Sequence, residues 1–345
     1  MSKTVKINMR ELAELAGVSV MTVSRALKNN PRISKPTRDR IKALAKEKGY
    51  QINPLVSAQM ASIRARRRIK YEATIGLLIH TPKEGLWIGA RKVIDGVTER
   101  SAELGFKCDT FDLADKDLKH QRVNTILKSR GIRAIIEAPM IDDLTHYDID
   151  LSDLVVISSN PGTLPQTFHR VCPDHYGNMD LLLRKIQQRD FHRPGLMVPK
   201  DIDDRLNHLW TSRYLAFQQT EELGKIPPYT PNSTSEFSVR DFLKWRNTYK
   251  PDILIVSSQE LFEHRFFEKA GLSIPNDIEV VKININDPDK GFSGIDLLSK
   301  EVGANCVNLL SQLMYQNDYG KPENPISMLV PGRWVLGKMC PSLLD

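Results

Sequence analysis

Three short amphipathic stripes open the chain. Apolar residues recur at i, i+3 and i+4 in Leu12, Leu15, Ala16, then in Val23, Ala26, Leu27, then in Ile41, Leu44, Ala45, and each set predicts one helix with one buried face. Asn8 with Glu11, then Ser19, then Ser34 followed by Pro36, stand where helix N-caps belong. Gly17 fits a tight turn between the first two helices, and Gly49 after Lys46 and Lys48 fits a C-terminal stop. From Ala73 the period changes. Strand-like runs at 74–79, 107–113, 134–137, 154–158, 195–198, 253–256 and 278–283 are interspersed with helical stretches such as 88–104 and 118–129. Alternation of this kind predicts parallel sheets covered on both faces. Residues 226–235 read as a proline-bearing polar loop.

Charge sharpens this division. Residues 1–70 carry 17 Lys or Arg against 4 Asp or Glu, whereas the remainder carries 32 against 38. A basic head on a mildly acidic body suits a polyanion at one end, although a merely solvated basic face would give the same asymmetry. With 345 residues, 41% of them hydrophobic and 26% charged, the chain can bury two or three cores and has no sign of disorder.

Chemistry-bearing motifs are few. Cys108, Cys172, Cys306 and Cys340 are far apart and read as reduced packing residues, and the histidines have no metal-ligand spacing. No phosphate loop or catalytic motif occurs, so no enzyme activity, cofactor or metal is expected. No apolar run approaches the roughly 20 residues needed to cross a bilayer, and the first residues lack the apolar core of a signal peptide. A cytoplasmic protein without a membrane partner is expected.

Two short helices joined by a Gly turn, with a third across them, form a helix-turn-helix whose second helix enters the major groove of DNA. Inward Val23, Ala26 and Leu27 leave Val20, Met21, Thr22, Ser24, Arg25 and Lys28 outward as candidate readers. Arg25 can fork onto guanine, and Val20 and Met21 can sense a thymine methyl. Ser19, Thr22, Ser34 and Thr37 lie near helix N-termini, where hydroxyls and amides hold phosphates.

The run Leu15-Ala16-Gly17-Val18-Ser19-Val20-Met21-Thr22-Val23-Ser24-Arg25 resembles the signature of the lactose repressor (LacI/GalR) family. The likeness continues through Arg32-Ile33-Ser34, Thr37-Arg38 and Gly49-Tyr50-Gln51-Ile52-Asn53-Pro54. It implies further DNA contacts at Tyr50 and Asn53, and a hinge helix after Pro54 that pushes a leucine into the minor groove. Here the leucine position holds Gln59, so either Met60 supplies the wedge or kinking is weaker. Arg64, Arg66, Arg67, Arg68 and Lys70 follow as a linker that touches flanking phosphates or stays solvated.

In the body, Gly131-Ile132-Arg133-Ala134-Ile135-Ile136, Pro173-Asp174-His175-Tyr176-Gly177, Phe191-His192-Arg193 and Gly271-Leu272-Ser273-Ile274-Pro275 are similar to further family motifs. The resemblance implies an N-terminal all-α helix-turn-helix domain over 1–52, a hinge and linker over 53–72, and an α/β effector domain over 73–345. That body would be periplasmic-binding-protein-like (type I), with two Rossmann-like subdomains, one of about 73–160 and 293–324 and one of about 161–292 and 325–345. Its last helix, near 300–314, would return to the first subdomain.

Ligands in open α/β folds sit beyond strand C-termini, which nominates Trp87, Ser159, Asn160, Arg205, Trp210, Gln259, Glu260 and Asn284. Either tryptophan can stack on a sugar or simply belong to the core. Several family anchors are altered: an expected Asp-Arg is Ser159-Asn160, an expected arginine is Trp210, and an expected Asn-Asp is Gln259-Glu260. Arg205 can supply the missing cation from one turn earlier. The resemblance thus implies a homodimeric, sequence-specific regulator. It would repress carbohydrate-related genes from a palindromic double-stranded operator, under a small-molecule effector such as a sugar. A solute-binding protein, or an α/β enzyme with an acquired DNA-binding head, would carry a similar body.

Overall fold

The computed structural model describes residues 9–27, 33–48, 73–82, 85–118, 120–139, 148–162, 166–189, 191–221, 224–257, 260–285 and 291–343. The chain divides into two compact units, Met1–Arg68 and Ile69–Asp345.

In the first unit, helices α1 (Met9–Ala16), α2 (Val20–Leu27) and α3 (Lys35–Glu47) close on Leu12, Ala13, Ala16, Val23, Ala26, Ile41 and Ala45. Gly17 turns the chain from α1 to α2 at φ +64°, a conformation that costs a side chain free energy. Its amide donates to Glu14 O and that of Val18 to Ala13 O, so carbonyls at the α1 terminus are satisfied. One expected core position is corrected. Leu15 is 56% exposed, and Ala13 takes its place inside. Residues 12 and 16 share a helix face, while 13 and 15 flank it on opposite sides, and only the side of Ala13 meets the other two helices.

The second unit contains two sheets. In the first, β2 (Phe106–Asp112), β1 (Ala73–Ile79), β3 (Ala134–Glu137), β4 (Val155–Ser158), β5 (His169–Pro173) and β10 (Ser327–Val330) lie side by side, all parallel. In the second, β6 (Pro194–Met197), β7 (Ile253–Val256), β8 (Glu279–Ile285) and β9 (Ser293–Asp296) are parallel, and β11 (Arg333–Val335) is antiparallel to β9.

Both faces of the second sheet are buried. Ile253, Ile255, Val281 and Ile283 meet α6 (His175–Gln187) and α8 (Leu209–Thr220), while Leu254, Val256 and Val280 meet α9 (Val239–Tyr249) and α11 (Phe266–Lys269). Continuous apolar strands of this kind are what a two-sided parallel sheet requires. The loop over 226–235 is less polar than its composition suggests. Ile226 is fully buried, and its carbonyl accepts from Tyr214 Oη at 2.9 Å and Gln218 Nε2 at 3.1 Å.

On the first sheet, α4 (Ile88–Leu104) and α12 (Ser299–Gln316) cross at Gly96 and Gly303. A methyl at Gly96 would strike the Lys300 carbonyl, and one at Gly303 the Val93 carbonyl, so the backbones approach as only glycines allow.

Strand membership corrects where the subdomains exchange the chain. β5 and β10 belong to the first sheet and β9 to the second, so the crossings follow β5, β9 and β10 rather than lying near 160, 292 and 324. β5 and β10 carry the polar residues His169, Arg170 and Ser327, and β9 is a short glycine-containing segment. None of them displays the long apolar runs of the central strands.

Candidate functional site

Two places carry chemistry, one in each unit. In the head, Ser19 caps α2, its Oγ accepting from Thr22 N at 3.2 Å and lying 2.9 Å from Thr22 Oγ1. Ser34 caps α3 in the same way, with Thr37 N at 3.4 Å and Thr37 Oγ1 at 2.7 Å. Both caps leave hydroxyls and free amides at a positive helix end, where a phosphate oxygen is favoured. Val20 and Met21 are 43% and 61% exposed, and Arg25 is exposed on the same helix. Large apolar side chains on the open face of an eight-residue helix add nothing to its own core, but they suit a groove floored by bases. Lys28, Tyr50, Asn53, Gln59 and Met60, like Asn8, Gly49 and the basic linker, lie outside the described residues, as does the side chain of Ser24.

In the body, a cavity of about 320 Å³ opens beyond the C-terminal ends of β3, β4, β7 and β8. It is walled by the starts of α4, α6 and α12 and by α7 (Lys200–Arg205). Trp87, Ser159, Asn160, Arg205, Trp210 and Asn284 all line it, so six of the eight expected effector residues come together. Gln259 and the Glu260 side chain lie outside the described residues.

These six residues do different things. Ser159 Oγ donates to Glu137 O at 2.7 Å, which ties β4 to β3. Trp210 is 3% exposed and packs in the second sheet's core while it lines the cavity. Trp87 is half-buried at the N-cap of α4, and the Arg205 guanidinium stands over its ring, 5.4 Å from the centroid.

Four side-chain atoms on this cavity are buried without a hydrogen-bond partner among the described residues: His175 Nδ1, Trp210 Nε1, Ser257 Oγ and Asn284 Oδ1. Each such atom costs roughly 1–3 kcal/mol unless something meets it. His175 and Ser257 are additions to the expected set. His175 begins α6, where Asp174 caps the helix by accepting from Gly177 N at 2.9 Å, and its ring meets Trp210 edge-on at 5.4 Å. Burial, and secondarily the nearby Arg205 charge, push its imidazole down to about 4, so it is neutral at pH 7. The unrecognised β5 hid it. Ser257 directly follows β7, two residues before the expected Gln259.

Comparison with known proteins locates the chain. Residues 8–53 match the family model for bacterial regulatory proteins of the lacI family. The head thus resembles the DNA-binding domain of lacI-family regulators. A helix-turn-helix-type transcriptional regulator of Lachnoclostridium phytofermentans is 23% identical over 329 residues, covering 89% of this chain and 92% of that protein. The GalR regulator of Streptococcus thermophilus is 22% identical over 322 residues, covering 88% and 91%. Among solved structures, a lac repressor dimer bound to operator and an anti-inducer superposes with a TM-score of 0.60 at 16% identity over 97% of this chain and 99% of that one. A CelR regulator in complex with cellobiose gives 0.56 at 15%, covering 97% and 100%. The LacI-type fold therefore extends through the body, where sequence likeness is thin, as two mainly parallel α/β subdomains.

Proposed function

We propose that this chain is a LacI-family transcription regulator, an effector-controlled repressor of carbohydrate-related genes that binds a palindromic operator as a homodimer. The observation that carries the effector part is the cluster of four buried polar atoms on one cavity that have no partner among the described residues. Such atoms are expensive to keep unless a polar ligand answers them, and a ligand with several hydroxyls matches them in number and kind. Neighbours of the same fold were solved with cellobiose and with glucose, and the lac repressor as a dimer on its operator.

On the DNA side, Val20, Met21 and Arg25 read bases with Ser24 and Lys28 beside them, and Ser19, Thr22, Ser34 and Thr37 hold phosphates. Tyr50 and Asn53 extend that contact, and the hinge acts through Met60 beside Gln59. Coupling follows if the ligand binds with different affinity to the DNA-competent arrangement of the body and to its alternative. In this reading the cleft binds and does not catalyse, in keeping with the regulators the chain resembles. A cytoplasmic location belongs to the same reading, since the partner is chromosomal DNA; no described helix is long and apolar enough to cross a membrane.

Selection of random duplex DNA by the full-length protein near physiological salt, followed by sequencing, tests the operator claim. An inverted repeat is the expected product. Failure to enrich any motif, with and without a panel of sugars and sugar acids, would refute it.

A further inference from the structure

We infer that the ligand of this cleft is a carbohydrate bearing a carboxylate, of the uronate or aldonate class, whose carboxylate is held by Arg205. The inference rests on the effector reading above and adds the chemical class of the ligand. Among the described residues lining the cavity, Arg205 is the one cation and Asp201, which is exposed, the one carboxylate. The Arg205 guanidinium lies 5.4 Å from the centroid of the Trp87 ring, and the Arg205 side chain makes no hydrogen bond or ion pair with a described residue. A guanidinium has five N–H donors in a planar fork, and a contact with a ring face takes none of them. A carboxylate is the group whose two oxygens fit such an edge.

The backbone around Arg205 is built to hold it. Asn207 and His208, just beyond α7, both take left-handed conformations, with φ 52° and 57°. Adjacent non-glycine residues in that region are strained and persist only where their surroundings impose it. Here Asn207 Nδ2 donates to Gly162 O at 3.1 Å, His208 N donates to Asp203 O at 2.8 Å, and the His208 ring is 2.9 Å from Asp203 Oδ2. Gly162 lies against the Arg205 carbonyl so closely that a side chain there would collide with it. The turn that presents Arg205 is thus latched to the segment that follows β4.

The rest of the cavity selects a polyol with one negative charge. His175, held neutral by burial and by Arg205, brings no second cation at pH 7. With Asp201 near the single guanidinium, a dianionic phosphate would be under-compensated where a monoanion is matched. His175 Nδ1, Trp210 Nε1, Ser257 Oγ and Asn284 Oδ1 remain for hydroxyls, and Trp87 with Pro139 and Pro173 offers apolar surface to a ring.

Calorimetric titration of the full-length protein tests this with glucuronate, galacturonate and gluconate. Glucose and galactose serve as neutral counterparts, and glucose 6-phosphate as the dianion. At least one acid should bind at least about tenfold more tightly than its neutral counterpart, as expected when a hydrogen-bonded charge is lost. Arg205→Gln should weaken that acid on the order of 10- to 100-fold, and Arg205→Lys, which keeps the charge but not the fork, by less. Equal binding of neutral sugar and acid, or acid binding indifferent to both variants, overturns the carboxylate assignment and leaves the effector reading intact. Tighter binding of glucose 6-phosphate than of any acid overturns it in favour of a phosphate. If no acid binds, the assignment falls, and release of the selected operator by neutral sugars then decides the effector reading separately.

Discussion

Replacing Gly303 with alanine sets two opposing effects against each other. In an ordinary helix, Gly→Ala stabilises by about 1 kcal/mol because glycine loses more backbone freedom on folding. Gly303 lies within α12 where that helix crosses α4, and a Cβ there would stand 2.9 Å from Val97 N and 3.0 Å from Val93 C, and nearer still to Val93 O. Carbon contacts settle at roughly 3.5–4 Å, so the two helices must separate by on the order of 1 Å. Val93 and Val97 on α4 and Val302 and Val307 on α12 are buried and share the loss. Overpacking of this kind costs about 1–3 kcal/mol and is felt on top of the lost contacts, so a net destabilisation of about 2 kcal/mol is expected. In a body of this size that lowers the melting temperature by about 4–8 °C.

The same displacement reaches the ligand cavity, because α4 supplies Gly89 and Val93 to its wall and α12 supplies Ser299 and Val302. Thermal melts of the full-length protein followed by circular dichroism, with ligand affinity measured in parallel, make the assay. Gly96→Ala should behave alike, since its Cβ would meet the Lys300 backbone. The double variant should lose less than the two single losses added together, as one separation relieves both clashes. A Gly303→Ala protein as stable as the parent, or more so, would refute the reasoning.

Other expectations test the head, the caps and the buried histidine. Arg25→Ala should weaken the selected operator by on the order of 1–3 kcal/mol per half-site and leave random DNA nearly unaffected in a fluorescence anisotropy titration; equal losses on both would make Arg25 a phosphate anchor. Ser34→Ala removes the α3 cap and should cost about 1 kcal/mol in urea denaturation, whereas Ser34→Gly should cost only a few tenths. For His175, the folded value is near 4 against an ordinary value of about 6.5, so on acidification the unfolded chain takes up a proton that the folded one refuses. Stability that is full above about pH 6.5 is therefore lost as pH falls toward 4, by about 3 kcal/mol from this group. His175→Gln should flatten that part of the stability profile. Parallel profiles for the two proteins would count against the assignment.

Much of the head was legible because its determinants are local. Helix stripes, the Ser19 and Ser34 caps and the Gly17 turn each depend on residues within a few positions, and the structure reproduces them. Leu15 escaped because periodicity names a stripe but not which of its flanks meets the neighbouring helices. In the body, the central strands announced themselves as apolar runs. Strands β5, β9 and β10, polar or short, did not, and the subdomain crossings were misplaced with them.

By itself, then, the amino-acid sequence determined the helix-turn-helix, the α/β character of the body and six positions that line one cavity. Each follows from short-range periodicity, from a cap or turn, or from the rule that ligands gather at strand ends. Only the tertiary structure decided that His175 and Ser257 join the cavity, that four of its polar atoms lack partners among the described residues, and that the Arg205 guanidinium lies over the Trp87 ring. Those properties arise where β3 and β4 of one sheet face β7 and β8 of the other, far apart in the chain. Burial and hydrogen-bond satisfaction are sums over neighbours that only the closed fold brings together.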